Sequence, residues 1–63
     1  MCLSVAYKNE MLPEKVIMKN VVFIECSGGK VILTDLMDHS CEIEGSLEKA
    51  DLTEGYIIIR TQP

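Results

Sequence analysis

Basic residues are scarce in this 63-residue sequence: six Lys and Arg stand against ten Asp and Glu, a formal net charge of −4. A surface that binds by neutralising phosphates needs clustered Lys and Arg, so that class of partner is disfavoured. Aromatic residues are scarce too, with no Trp and only Tyr7, Phe23 and Tyr56. No basic stripe interleaves with those three rings, as single-stranded RNA binding would favour. Long apolar runs are missing. The longest, Val21-Val22-Phe23-Ile24 and Tyr56-Ile57-Ile58-Ile59, fall far short of the ~20 residues a membrane-spanning helix requires. The start of the chain lacks a positive region followed by an apolar one, so no secretory signal and a cytoplasmic location are expected. Cysteine is present in an odd count, Cys2, Cys26 and Cys41, with no CxxC spacing. Neither a disulfide framework nor a zinc site built by one chain is therefore indicated.

What remains is an ordinary globular composition, 48% hydrophobic and 25% charged, read as one domain over residues 1–63. A chain of this size buries only about 60% of the surface its unfolded form exposes. Scaffolds this small commonly add a disulfide, a metal or a second subunit to a core that rarely supplies more than ~3–5 kcal/mol, and a homodimer is expected. Turn signals at Met11-Leu12-Pro13, Ser27-Gly28-Gly29, Asp38-His39 and the polar stretch from Gly45 to Gly55 divide the chain. Between them lie Cys2–Lys8, Val16–Cys26, Lys30–Met37, Ser40–Ile43 and Tyr56–Thr61, all rich in β-branched or aromatic residues. The expected fold is all-β, a small five-stranded barrel or roll, with one helical turn over Ser46-Leu47-Glu48-Lys49-Ala50.

Period-two alternation assigns faces. Leu3, Val5 and Tyr7 are expected to face the core, which turns Cys2, Ser4 and Ala6 outward. Val22, Ile24 and Cys26 form an apolar face, and Cys41 with Ile43 alternates against Glu42 and Glu44; both cysteines are read as buried. Tyr56 to Ile59 is apolar on both faces, so a neighbouring subunit is expected to cover one of them.

No catalytic residues are assigned. A nucleophile needs a base and an orienting group, and only His39 could serve as base. In its polar Asp38-His39-Ser40 turn it reads as solvated surface. The outward carboxylates Glu42 and Glu44 read as an exposed face. Gly28-Gly29 lacks the GK[ST] signature of a phosphate loop and reads as a hairpin turn. Cys2 stands apart because of its position. Removal of Met1 is expected before a residue as small as Cys, and it leaves one residue with a free amine and a thiol. Mixed S,N donors of this kind suit square-planar Ni(II) or Cu(II). One chain offers too few ligands, whereas two such termini across a dimer axis supply four. The alternative is that Cys2 is an incidental small hydrophobe.

Met1-Cys2 at a strand start, Val16-Ile17-Met18-Lys19-Asn20-Val21, Gly29-Lys30-Val31-Ile32-Leu33-Thr34-Asp35-Leu36 and Gly45-Ser46-Leu47-Glu48-Lys49-Ala50-Asp51-Leu52 before Tyr56-Ile57-Ile58-Ile59 together resemble the CooT family of small nickel-binding proteins. The likeness covers essentially the whole chain. The Met1-Cys2 opening and the Gly-x-Leu-x-x-Ala-Asp-Leu segment carry most of its specificity. The resemblance implies an SH3-like barrel, a homodimer, and one Ni(II) per dimer held between protomers by Cys2, in a non-enzymatic role linked to nickel insertion into carbon monoxide dehydrogenase. The family also carries the label of predicted RNA-binding proteins, a fold analogy that the acidic composition supports poorly. Two alternatives to a nickel chaperone or sensor therefore stand: a small-barrel RNA-binding module, and a protein-interaction domain without a ligand.

Overall fold

Strand-favouring residues fill the chain, and in the computed structural model, which describes residues 3–61, they form six strands and one 3-10 turn, Pro13–Lys15. The strands are β1 (Ser4–Lys8), β2 (Val16–Ser27), β3 (Lys30–Asp35), β4 (Ser40–Glu44), β5 (Ser46–Asp51) and β6 (Tyr56–Arg60). They make a single sheet in the order β4-β3-β2-β1-β6-β5. All neighbours are antiparallel except β1 and β6, which run parallel with Val5 beside Tyr56 and Tyr7 beside Ile58.

The two edge strands, β4 and β5, are separated in sequence by Gly45 alone. A sheet whose opposite edges are joined by one residue must coil until those edges meet at that end. Gly45 sits at the meeting point. Its N–H donates to the Gly29 carbonyl at 2.9 Å, and a Cβ there would fall on the Arg60 carbonyl oxygen. Only glycine allows so close a backbone approach. No ladder joins β4 to β5 among the described residues, so the sheet is coiled but open.

The β2–β3 hairpin turns where the sequence places it. Ser27 pairs with Lys30, and Gly28 and Gly29 both take positive φ, 55° and 80°, as the favoured two-residue hairpin turn requires. The core lies inside the coil: Ala6, Val21, Val31, Leu33, Ile57 and Ile59 are buried, with Ile17, Met18, Ile24 and Ile43 packed against them. Burying a Leu or Ile side chain fully contributes about 1.5–3 kcal/mol, so these few residues supply much of the net stability.

Four expectations are corrected. The strands number six rather than five, because Ser46–Asp51 is β5, paired along β6 from Ser46–Arg60 to Asp51–Tyr56, and not a helical turn. Tertiary pairing overrides the helix preference of Leu, Glu, Lys and Ala. The faces of β1 are inverted: Ser4 and Ala6 are buried, Val5 and Tyr7 are half-buried, and Leu3 is 39% exposed. Ala6 lies between Met18 of β2 and Ile57 of β6 at the crowded centre of the sheet, where only a small side chain fits. Cys26 is exposed rather than buried. It shares the core-side face of its partner Val31, yet its side chain borders the open cleft between the hairpin and Gly45–Leu47. Cys41 is half-buried, opposite Leu33 on the edge strand β4.

Candidate functional site

Cys2, the predicted metal ligand, lies outside the described residues. The premise that turned it outward, an exposed Ser4–Ala6 face, does not hold, since both residues are buried. The residue that follows it, Leu3, is described, and it marks the end of the sheet at which β1 begins. Here the β5–β6 turn meets β1: Val5 N–H donates to the Gly55 carbonyl at 3.0 Å. The turn is held by Asp51, whose Oδ1 accepts the N–H groups of Thr53 at 3.0 Å and Glu54 at 2.9 Å.

The same end of the sheet carries an apolar band on its outer face. Ser4 pairs with Val21, which sets Leu3 beside Val22. A β-bulge follows in β2: the register steps from Val21–Asp35 to Phe23–Thr34, so Val22 and Phe23 together oppose a single residue of β3. Asn20, with φ at 58°, introduces the bend, and its carbonyl accepts the Leu36 N–H at 2.9 Å. Val22, Phe23 and Leu36 are left 43%, 55% and 58% exposed. The half-buried Val5 and Tyr56 extend the band across β1 and β6. On the far side Lys49 Nζ lies 5.5 Å from the Tyr56 ring centroid, and a hydrogen bond to Tyr56 holds the Lys49 pKa above its ordinary value. Sequence pattern had flagged only Tyr56–Ile59 as apolar on both faces. The bulge at Val22-Phe23 breaks alternation, and period-two reasoning has no signal for it.

The remaining candidates do not converge. Cys26 and Cys41 lie on β2 and β4 with β3 between them and two residues out of register, about 12 Å apart by ordinary sheet spacings and beyond the ~7 Å limit for a disulfide. Cys26 borders an open cleft of about 220 Å³ between the hairpin and Gly45–Leu47. His39 is surface, as read: its side chain is 77% exposed, with Nδ1 3.4 Å from Asp35 Oδ2. Asp35 shapes that turn through its other oxygen, which accepts the N–H groups of Met37 and His39, both at 2.9 Å. The N–H of His39 is the main cause holding the Asp35 carboxyl below its ordinary pKa, while burial works against it. Among the described residues no three His, Cys, Asp or Glu side chains group as a metal site would require. The ion pairs Lys30–Glu42 and Arg60–Glu48 are exposed and contribute little.

The family model described as CO dehydrogenase accessory protein CooT matches residues 1–60. The chain belongs to the CooT family. The match runs through Cys2, all six strands and the Gly45–Leu52 segment on which the resemblance rested. The family description makes the chain an accessory protein for CO dehydrogenase. No curated protein matches the sequence. No helix among the described residues is long and apolar enough to cross a membrane.

Proposed function

We propose that the chain is a non-enzymatic nickel carrier, a chaperone or sensor in the maturation of a nickel enzyme such as CO dehydrogenase, and that it holds one Ni(II) between two copies through Cys2. The observation that carries this reading is the family match over residues 1–60, which takes in Cys2. The chemistry of the available donors supports it. Each Cys2 offers a thiolate and a backbone nitrogen, and two copies supply four donors of the type that square-planar Ni(II) prefers. The described residues of one chain gather no competing donor set. Nickel is cargo here: the protein's part is to offer it soft, charged donors, with specificity set by geometry and availability rather than by affinity alone.

Titration of the purified full chain with Ni(II) tests the reading. A thiolate-to-nickel charge-transfer band saturating at about one metal per two chains is expected. The variant Cys2→Ser abolishes it. A band of undiminished intensity in that variant, or saturation at one metal per chain, overturns the assignment.

A further inference from the structure

The two edge strands of the sheet are not alike. β5 carries a β-bulge between Leu47 and Lys49, and its charged side chains are already engaged: Glu48 with Arg60, Lys49 with the Tyr56 ring, and Asp51 with its own turn. A bulge twists a sheet edge and closes it to further pairing. β4 has no bulge, and its register against β3 runs unbroken from Lys30–Glu44 to Thr34–Ser40. Among the described residues Glu44 has no ion-pair partner, and Glu42 has only an exposed contact with Lys30 at 3.7 Å.

The ladder shows which backbone groups of β4 are free. Gly45 N–H donates to the Gly29 carbonyl and Asp35 N–H to the His39 carbonyl, both at 2.9 Å. Both pairs continue the β3–β4 register, and hydrogen-bonded pairs alternate along an antiparallel ladder. Val31–Ile43 and Leu33–Cys41 therefore carry the bonds between the two strands, and Ser40, Glu42 and Glu44 turn their N–H and C=O groups away from β3. An open cleft of about 420 Å³ adjoins this edge, lined by Glu42, Ile43 and Glu44 and, from the ends of β1, β2 and β6, by Lys8, Ile17 and Thr61.

We propose that the free edge of β4 takes up an extended segment of a partner protein as an added antiparallel strand, with Lys or Arg at alternate positions and an apolar residue between them. Backbone pairing supplies the attachment and alternate side chains supply the selectivity, as in other cases of strand addition. Charge chooses the occupant. A second copy paired edge to edge across a two-fold axis sets Glu42 and Glu44 against the same two residues, and like charges directly opposite destabilise a strand pair. A basic segment turns those clashes into opposite-charge pairs. The residue opposite Glu42 or Glu44 exchanges N–H and C=O bonds with it, so the basic residues also supply the bonding N–H groups. The residue between them points to the other face, where Ile43 and Ile17 line the cleft. This surface goes beyond the carrier reading and needs no nickel.

Amide NMR of the isotope-labelled full chain tests the proposal, with a capped peptide of sequence Lys-Val-Lys-Val-Lys as the probe and thermal melts as the check on folding. The peptide is expected to shift the Glu42 and Glu44 amide resonances and to slow their hydrogen exchange by about tenfold or more. Methylating the lysine backbone nitrogens abolishes binding, whereas methylating those of the valines leaves it. Glu42→Lys combined with Glu44→Lys, both at exposed sites, weakens the lysine peptide by about tenfold or more and gains affinity for Glu-Val-Glu-Val-Glu. Unchanged Glu42 and Glu44 amides at millimolar peptide overturn the proposal. So does equal binding of the lysine-methylated peptide, which is attraction by charge alone, or affinity untouched by the charge reversal. Protection of the same amides without peptide, growing with protein concentration, gives the edge to a second copy and overturns it as well. Cys2→Ser is expected to bind the peptide as tightly as wild type. A wild-type chain that binds the peptide and no nickel keeps this surface and removes the nickel reading.

Discussion

The two faces of the sheet are built from the same kinds of residue and meet different fates. On the inner face Val21, Val31, Leu33, Ile57 and Ile59 are covered by the coil of their own chain. On the outer face, at the end where β1 starts, Leu3, Val22, Phe23 and Leu36 remain open. Hydrophobicity alone does not distinguish them; coverage does, and coverage follows from the coil that Gly45 permits between β4 and β5. A chain this short has one core to give, so an apolar face left outside it is available for a partner.

Substitutions sharpen this contrast, beginning with the inner face. Leu33→Ala removes a fully buried side chain from the middle of the sheet and is expected to cost about 2–5 kcal/mol. For a domain of this size that corresponds to a fall of ~10 °C or more in melting temperature, measured by thermal or denaturant unfolding. An unchanged midpoint would mean that the coil is not packed as described. Gly45→Ala attacks the closure instead of the core. Its Cβ falls on the Arg60 carbonyl oxygen, so the β4–β5 junction must open, and a loss of about 1–3 kcal/mol is expected in the same experiment. A neutral result would show that the two edges need not approach so closely.

Acid titration probes the turn next to the band. The Asp35 carboxyl is held below its ordinary pKa in the folded chain, chiefly by the His39 N–H, so the unfolded chain binds its proton first as pH falls. The stability contributed by Asp35 is therefore complete above the unfolded value of ~3.9 and is lost as pH falls through the lower folded value. Asp35→Asn is expected to flatten that acid limb in pH-dependent melts, whereas an identical limb would place the responsible carboxylate elsewhere. The smallest effects belong to the outer face. At concentrations where copies are separated, Leu36→Ala and Phe23→Ala are expected to change unfolding free energy by no more than ~0.5 kcal/mol. A loss as large as that of Leu33→Ala would place them in the single-chain core.

Much of the architecture was legible in the sequence, and the failures have physical causes. Gly28-Gly29 announced the hairpin because glycine accepts two successive positive φ values without the steric cost of a Cβ. The strands around Leu33 and Ile57 followed from their β-branched composition. β1 was read inside out because Leu3, Val5 and Tyr7 are larger and more apolar than Ser4 and Ala6. Size decided the reverse: between Met18 and Ile57 the sheet has room for a methyl group and not for a tyrosine. β5 was missed because Leu47, Glu48, Lys49 and Ala50 favour a helix, and only the ladder to β6 makes them a strand. Cys26 was placed on the correct face, yet alternation does not say whether another strand covers that face, and here it borders an open cleft. For the site, donor chemistry singled out Cys2. The band beside it depends on a bulge, whose register no periodic pattern encodes.

Native mass spectrometry of the full chain, with Ni(II) added in small excess, reads copy number and metal content in one spectrum. The account predicts a dimer carrying a single nickel ion, reduced in Cys2→Ser to a dimer carrying none. Nickel riding on single chains, or retained by the Cys2→Ser dimer, would contradict it.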